Sequence, residues 1–342
     1  ILLLLNLFIF KVLSIPDCKS GELIIPSGTE TISDSQYELC SDYIGSLIIP
    51  DTVTSIGSKA FFGCTGLNGT LKIPESVTYI GDAAFSGCSG FKGTLTLPNN
   101  ISLITKSVFR DCSGFEGSLT IQETVEKIEE FSFSGCFGLR GNLVIPDSVT
   151  TIEQGAFSGC FGFTGNLTLP DSITSIGPNC FSGCFGFNGL LHIPTKVTKI
   201  LNGLFKDCCG LTGSLVFPDN VNHIGAFLFM GCSGFNGNLT LSKTVTFIGE
   251  SSFSGCSGFT GSLEIPDSLV LLGYSVFSNC SGFNGSLVLS DMMMTISDDS
   301  FLNCKGFTGE LFFTDFLTKI GNKAFSGCSG FTGSLHLNRV QS

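Results

Sequence analysis

Residues 261–284 read GSLEIPDSLVLLGYSVFSNCSGFN, and variants of this 24-residue pattern fill the chain from Gly21 to about residue 338. A glycine opens each copy, and these glycines recur without an insertion or a deletion. The sequence contains thirteen complete copies and a partial one that begins at Gly333. A short fixed period of this kind is typical of solenoid proteins, in which each copy forms one coil of a stack.

The apolar residues occupy fixed positions in each copy when the opening glycine is counted as position 0. Position 2 is always Leu, position 11 is Ile in all copies but one, and position 16 is Phe in twelve of the thirteen complete copies. Positions 2 and 4 alternate with the more variable positions 1 and 3, which predicts a half-buried strand. Positions 8–11 predict a second extended segment. The helical spacing of positions 15, 16 and 19 predicts one helical turn over positions 13–18.

One copy cannot bury its apolar side alone, whereas stacked copies each add a layer to a common core. We therefore predict a repeat solenoid that is mostly β, with short helical turns, and that consists of thirteen 24-residue coils and a partial one.

The pattern L-x-[IL]-P-x-[ST]-V-T-x-I-G-x-x-[AS]-F-x-x-C-x-x-[LF] is present in full at residues 47–67. It resembles the BspA-like class of leucine-rich repeats, and the resemblance covers about residues 21–338. The resemblance implies a curved leucine-rich-repeat solenoid with strands on its concave face. It also implies a surface antigen that adheres to host matrix proteins or to other cells.

The chain begins with the apolar run ILLLLNLFIFKVLS at residues 1–14. This run fits the hydrophobic part of a secretory signal peptide without its basic start, so the N-terminus is interpreted as incomplete. An apolar cap strand over the first coil is the alternative. Residues 15–20 are assigned to a cap or linker, 21–338 to the solenoid and 339–342 to a tail. The sequence thus predicts a protein that is secreted or displayed at the cell surface.

Composition and charge exclude several classes of function. The net charge is −11 and only 13% of the residues are charged, so the basic stripe that nucleic-acid binding requires is missing. The three histidines have no partnered Ser or Cys that would form a hydrolytic triad. Near-identical copies leave no unique cluster of titratable groups, so neither an enzyme nor a cofactor is predicted.

The sixteen cysteines are interpreted mainly as core residues. Thirteen of them occupy position 19, where a buried free thiol behaves as a small apolar side chain. Cys18 lies outside this series and could form a disulfide with Cys40. No Cys-x-x-Cys pair indicates zinc. Acidic residues recur at position 6 and could collect Ca²⁺, but the series is interrupted, which favours turn hydrogen bonds as their role.

Position 3 is the most varied strand position, as expected for side chains that point away from the core. It predicts a face that binds a protein segment or a glycan, the alternative being an unselected solvent face. The candidate residues of this strand face are Thr96, Thr120, Val144, Thr168, His192, Val216, Thr240 and Glu264.

A second candidate contact is an aromatic strip at position 20, formed by Phe137, Phe161 and Phe185. Packing against adjacent loops is the alternative for these rings. The predicted function is adhesion to host matrix proteins, cells or glycans through the strand face. The competing hypothesis is a structural surface-layer or scaffold protein that self-associates end to end through unpaired strand edges.

Overall fold

The computed structural model describes residues 21–269 and 271–333. The predicted signal peptide, cap and tail lie outside these residues. The described residues divide into two compact units, one up to residue 140 and one from residue 141 on, and each is described by itself. The assignment of residues 21–338 to one uninterrupted solenoid stays a prediction.

Short parallel strands build the first unit. Most lie at positions 2–3 or at positions 10–11 of a coil, and they are β1 (Leu23–Ile24), β2 (Thr31–Ile32), β3 (Leu47–Ile48), β4 (Ser55–Ile56), β5 (Gly69–Thr70), β6 (Tyr79–Ile80), β7 (Phe91–Lys92), β8 (Leu95–Thr96), β9 (Leu103–Ile104), β10 (Leu119–Thr120) and β11 (Lys127–Ile128). The pairings are β1 with β3, β2 with β4 and β4 with β6, β5 with β7, β8 with β10, and β9 with β11.

The second unit repeats the same two strand positions. Its strands are β12 (Thr151–Ile152), β13 (Leu167–Thr168), β14 (Ser175–Ile176), β15 (Leu191–His192), β16 (Lys199–Ile200), β17 (Leu215–Val216), β18 (His223–Ile224), β19 (Leu239–Thr240), β20 (Phe247–Ile248), β21 (Leu263–Glu264), β22 (Leu271–Leu272), β23 (Leu287–Val288), β24 (Thr295–Ile296) and β25 (Lys319–Ile320). Here β16, β18, β20 and β22 form one sheet, and β12–β14, β13–β15, β17–β19, β21–β23 and β24–β25 pair.

The strands at positions 2–3 and 10–11 pair with the equivalent residues of the neighbouring coil, whereas β5 and β7 pair at the join between two coils. Leu23 lies opposite Leu47 in the first unit, and Ile224 lies opposite Ile248 in the second. The register therefore equals the repeat length, and the same side chain occupies the same place in every layer. Both units are parallel β-solenoids with leucine-rich repeats, as the sequence predicts.

The core consists of ladders of identical side chains. Position-16 rings of successive coils stack with centroids 5.2 Å apart for Phe61 and Phe85 and 5.5 Å apart for Phe157 and Phe181. The position-2 leucines and position-11 isoleucines are buried beside them in almost every described coil. Because offset stacking of rings adds to the gain from burial, this repeated layer holds the coils together.

The predicted helical turn is wrong. The described residues contain no α-helix, and so none that is long and apolar enough to cross a membrane. Positions 13–18 form successive hydrogen-bonded turns instead, because position 14 is left-handed throughout; φ is +55° at Lys59 and +56° at Phe131. An α-helix requires φ near −60°, so a residue at this place ends any helical turn.

The left-handed position 14 predicts a stabilising substitution. Ala83 has φ of +54°, which costs an L-residue ~1 kcal/mol or more, whereas glycine adopts this conformation freely. Ala83→Gly is therefore expected to raise the free energy of unfolding by ~0.5–1 kcal/mol. The neighbour Ala84 is fully buried and is not left-handed, so Ala84→Gly is the control and should destabilise. Urea denaturation of the two variants checks the opposite signs.

Candidate functional site

The strand face lies on the outer side of the first strand of each coil. All eight candidate residues are exposed, while the neighbouring positions 2 and 4 face the core. Val144 is 64% exposed beside Leu143 at 4%, and Val216 is 60% exposed beside Leu215 at 1%. This alternation frees the position-3 side chains from packing, so their identity can vary without affecting the stack.

The eight candidate residues are divided unequally between the two units. Thr96 lies opposite Thr120 on paired strands of the first unit. In the second unit, Thr168 pairs with His192, and Val216 pairs with Thr240. Two candidate residues thus belong to the first unit and six to the second, where they form the longer exposed series.

Polar side chains at position 1 border the strand face and connect neighbouring coils. The Oδ1 atom of Asn166 accepts a hydrogen bond of 2.8 Å from the backbone N–H of Leu190. The Oγ atom of Ser214 accepts one of 3.1 Å from the N–H of Asn238. These bonds fix the border of the strand face to the neighbouring coils.

Carboxylates at position 6 border the opposite side. Asp171 accepts hydrogen bonds from the backbone N–H and the hydroxyl of Thr195, at 2.7 and 3.0 Å. These hydrogen bonds lower the pKa of the Asp171 carboxyl. The imidazole of His192, whose Nε2 atom lies 3.5 Å from Oδ1 of Asp171, lowers this pKa further. Asp267 caps the N–H of Asp291 in the same way. This capping favours the turn interpretation over calcium, and the described residues contain no cluster of three or more acidic, His or Cys side chains able to hold a metal ion.

Two grooves open on the strand face of the second unit. Each lies between a coil and its successor, with cavity volumes of about 450 and 380 Å³. Val144 and Thr168 line the first groove, and Thr240 and Glu264 line the second. The sequence prediction considered position 3 alone and so missed Asp147 and Lys243, which line the grooves from position 6. The available signal was Lys243 itself, which breaks the acidic series.

The aromatic strip is exposed in both units. Phe161 and Phe185 stack in the second unit, with ring centroids 4.8 Å apart and 38% and 50% of each residue exposed. Phe137 belongs to the first unit and is 46% exposed. The stacking of Phe161 on Phe185 agrees with the alternative that these rings pack against adjacent loops, and a role in partner contact stays a prediction.

The position-19 thiols are part of the core. Most of them donate a hydrogen bond to the carbonyl oxygen of the position-16 residue one coil earlier, as Cys184 does to Phe157 at 3.1 Å. Burial raises the pKa of the Cys184 thiol to about 12 and that of Cys64 to about 11. Cys40 is disulfide-bonded and so is not one of the free thiols; the sequence left a disulfide open for this residue. Cys18, its predicted partner, lies outside the described residues.

Thiol reactivity should separate these groups. Cys209 is a free and exposed cysteine at position 20, whereas the position-19 thiols from Cys64 to Cys304 are buried. A thiolate is the reactive form, so the buried thiols should resist reagents such as Ellman's reagent at pH 8 until the protein unfolds. In the native protein Cys209 should react in a fast phase of one thiol equivalent, and Cys209→Ser should remove that phase. Rapid modification of many thiols in the native protein would contradict this arrangement.

The repeat is found in other proteins. The chain matches the model of a family described as the BspA type leucine rich repeat region in the overlapping segments 30–164, 115–236 and 198–332. None of the curated proteins matches the chain.

Solved structures share the fold over most of the chain. A leucine-rich repeat protein from Bacteroides ovatus is 25% identical with a TM-score of 0.70, over 90% of this chain and 84% of that one. A leucine rich cell surface protein from Faecalibacterium prausnitzii is 26% identical with a TM-score of 0.55, over 92% and 88% of the two chains. Since the family model matches well over half of its length, this chain belongs to the BspA-type leucine-rich repeat family.

Proposed function

We propose that the protein is secreted or displayed at the cell surface and adheres to host matrix proteins, cells or glycans through its strand face. The observation that carries the proposal is the series of exposed position-3 side chains above a fully packed core. The Faecalibacterium protein, described as a cell surface protein, supports the location.

The architecture suits non-covalent binding. In a solenoid the coils present equivalent side chains at a regular spacing, which creates an extended surface for a partner. The position-3 series is mixed in chemistry, with Thr, Val, His and Glu among its members, and low in charge. Because the strands below it are paired and buried on one side, the surface is preorganised and loses little conformational entropy on binding.

The experiment replaces Thr120, Thr168 and Thr240 together with Lys. The matched control replaces Thr78, Thr174 and Thr246, which are exposed threonines at position 9 of their coils, with Lys. Binding of both variants to immobilised matrix proteins, cultured host cells and a glycan array is compared with the wild type. We expect at least a tenfold loss for the strand-face variant and little change for the control, and equal binding by both variants would contradict the proposal.

The alternative of end-to-end self-association needs a separate measurement. Sedimentation velocity over a hundredfold concentration range distinguishes the two functions. A constant monomer is expected for a ligand-binding protein, whereas mass that grows with concentration would favour the scaffold.

A further inference from the structure

The two grooves of the strand face lie at equivalent places, four coils apart. Each is lined by side chains from positions 1, 3 and 6 of one coil and positions 1, 3 and 5 of the next. In the first groove these are Asn142, Val144, Asp147, Asn166, Thr168 and Pro170. In the second they are Asn238, Thr240, Lys243, Ser262, Glu264 and Pro266.

We propose that one extended polypeptide segment carrying basic side chains docks in both grooves; this inference rests on the proposed function and names its ligand. Coils joined by paired strands are ~4.8 Å apart, so four coils place the grooves ~19 Å from each other. An extended chain rises ~3.3 Å per residue, so about six residues connect the grooves. The ligand therefore needs roughly eight to ten residues to occupy both.

The lining groups match a polypeptide backbone. Amides and hydroxyls such as those of Asn142, Asn238 and Ser262 both donate and accept hydrogen bonds, as a peptide backbone requires. Val144 and Val216, both exposed, offer apolar contact to side chains of the segment. No aromatic ring is among the described residues that line either groove, so the flat platform on which a sugar ring stacks is missing there.

Charge complementarity points to a basic segment. Asp147 lines the first groove and Glu264 lines the second, and Asp171 and Asp219 lie at position 6 between them. Against these four carboxylates stand two lysines, Lys243 in the second groove and the exposed Lys196 at position 7 between the grooves. The whole chain carries a net charge of −11. Such a surface attracts Lys and Arg side chains and repels acidic ones, and it raises the association rate of a cationic partner.

The test uses a fluorescent twelve-residue peptide of alternating Lys and Thr, with a Glu–Thr peptide of equal length and cellohexaose as comparison probes. Fluorescence anisotropy is recorded with the whole protein at 50 and 300 mM salt. We expect the Lys–Thr peptide to bind and the Glu–Thr peptide not to bind, with at least a fivefold loss at the higher salt. A four-residue Lys–Thr peptide reaches only one groove and should bind at least tenfold more weakly.

Substitutions locate the binding. Asp147→Lys and Glu264→Lys should each weaken the peptide at least fivefold, while Lys243→Glu should strengthen it, a gain that misfolding does not produce. Glu250→Lys makes the same charge change at an exposed residue of position 13 and is the control. An equal effect of Glu250→Lys, no gain from Lys243→Glu, or displacement of the peptide by cellohexaose would overturn the proposal.

The outcomes separate this inference from the proposed function. If the Thr120, Thr168 and Thr240 variant loses adhesion but the basic peptide does not bind, only the assignment of the ligand fails. If that variant keeps full adhesion, while the basic peptide binds the wild type and Asp147→Lys weakens this binding, the grooves bind a basic segment. The adhesive role of the strand face is then contradicted.

Discussion

Raising the pH from 8 to 11 is expected to unfold the protein cooperatively. Burial raises the pKa of ten thiols in the two units, and a hydrogen bond with Cys328 together with burial raises that of Cys304. A thiol in the unfolded chain titrates near 8.5. The eleven thiols with a raised pKa are Cys64, Cys88, Cys112, Cys136, Cys180, Cys184, Cys208, Cys232, Cys256, Cys280 and Cys304.

The sign follows from proton linkage. Above about pH 9 the unfolded chain loses thiol protons that the folded chain retains, so the free energy of unfolding falls as the pH rises. Each thiol contributes a slope of ~1.4 kcal/mol per pH unit, and its stabilisation is complete only below the unfolded pKa. Eleven such slopes together exceed the usual 5–15 kcal/mol of total stability within about one to two pH units.

Urea denaturation at several pH values between 8.5 and 10 measures this slope. Replacing Cys232, Cys256 and Cys280 with Ser keeps a hydrogen-bond donor at each place but removes the titration, so the slope should fall by about three protons. Cys209→Ser removes an exposed thiol and should leave the slope unchanged. A free energy of unfolding that does not vary between pH 8.5 and 10 would contradict the burial of these thiols.

Gly90→Ala is expected to be among the most damaging single substitutions in the first unit. A Cβ atom on Gly90 would lie 2.2 Å from the carbonyl oxygen of Leu67 and 2.6 Å from that of Thr65, in the preceding coil. Backbone atoms cannot move aside as a flexible side chain does, so the coils themselves would have to separate. We expect a loss of ~3 kcal/mol or more, at the upper end of the range for overpacked sites.

Gly93→Ala is the matched control three residues away. Gly93 has φ of +74°, and a Cβ there would meet only the Thr70 hydroxyl at 3.4 Å. Its substitution costs backbone strain alone, ~1–2 kcal/mol. Thermal and urea denaturation of both variants provide the comparison, and an effect of Gly90→Ala no larger than that of Gly93→Ala would contradict the close approach of the coils.

The spacing of apolar residues predicted the strands, the stacking and the exposure of position 3, because these depend on which side chains must be buried in every copy. It did not predict the turns at positions 13–18. Left-handed residues there include Lys59, Phe131 and Phe227, which give no local signal of a positive φ. Hydrogen bonds to the next coil, such as that from the N–H of Phe61 to the carbonyl of Ala84 at 2.8 Å, hold this conformation.

The candidate site was only partly predictable for a similar reason. Position 3 varies from copy to copy, and this variation predicted that Val144, Thr168 and Thr240 are exposed. Whether neighbouring coils leave a groove between them depends on the side chains at positions 1 and 6 together. That combination, as with Asp147 and Lys243, becomes visible only when the coils are stacked.

Stacking of the coils in register is the claim on which the strand face and its grooves depend, and amide hydrogen exchange tests it most directly. The N–H groups of the position-16 residues Phe61, Phe181 and Phe253 donate to carbonyl oxygens of the following coil, at 2.8, 2.9 and 2.9 Å. They can exchange only when neighbouring coils separate, so we expect them to be among the slowest amides in the protein. Exchange of these amides within seconds in the native protein would contradict the stacked arrangement.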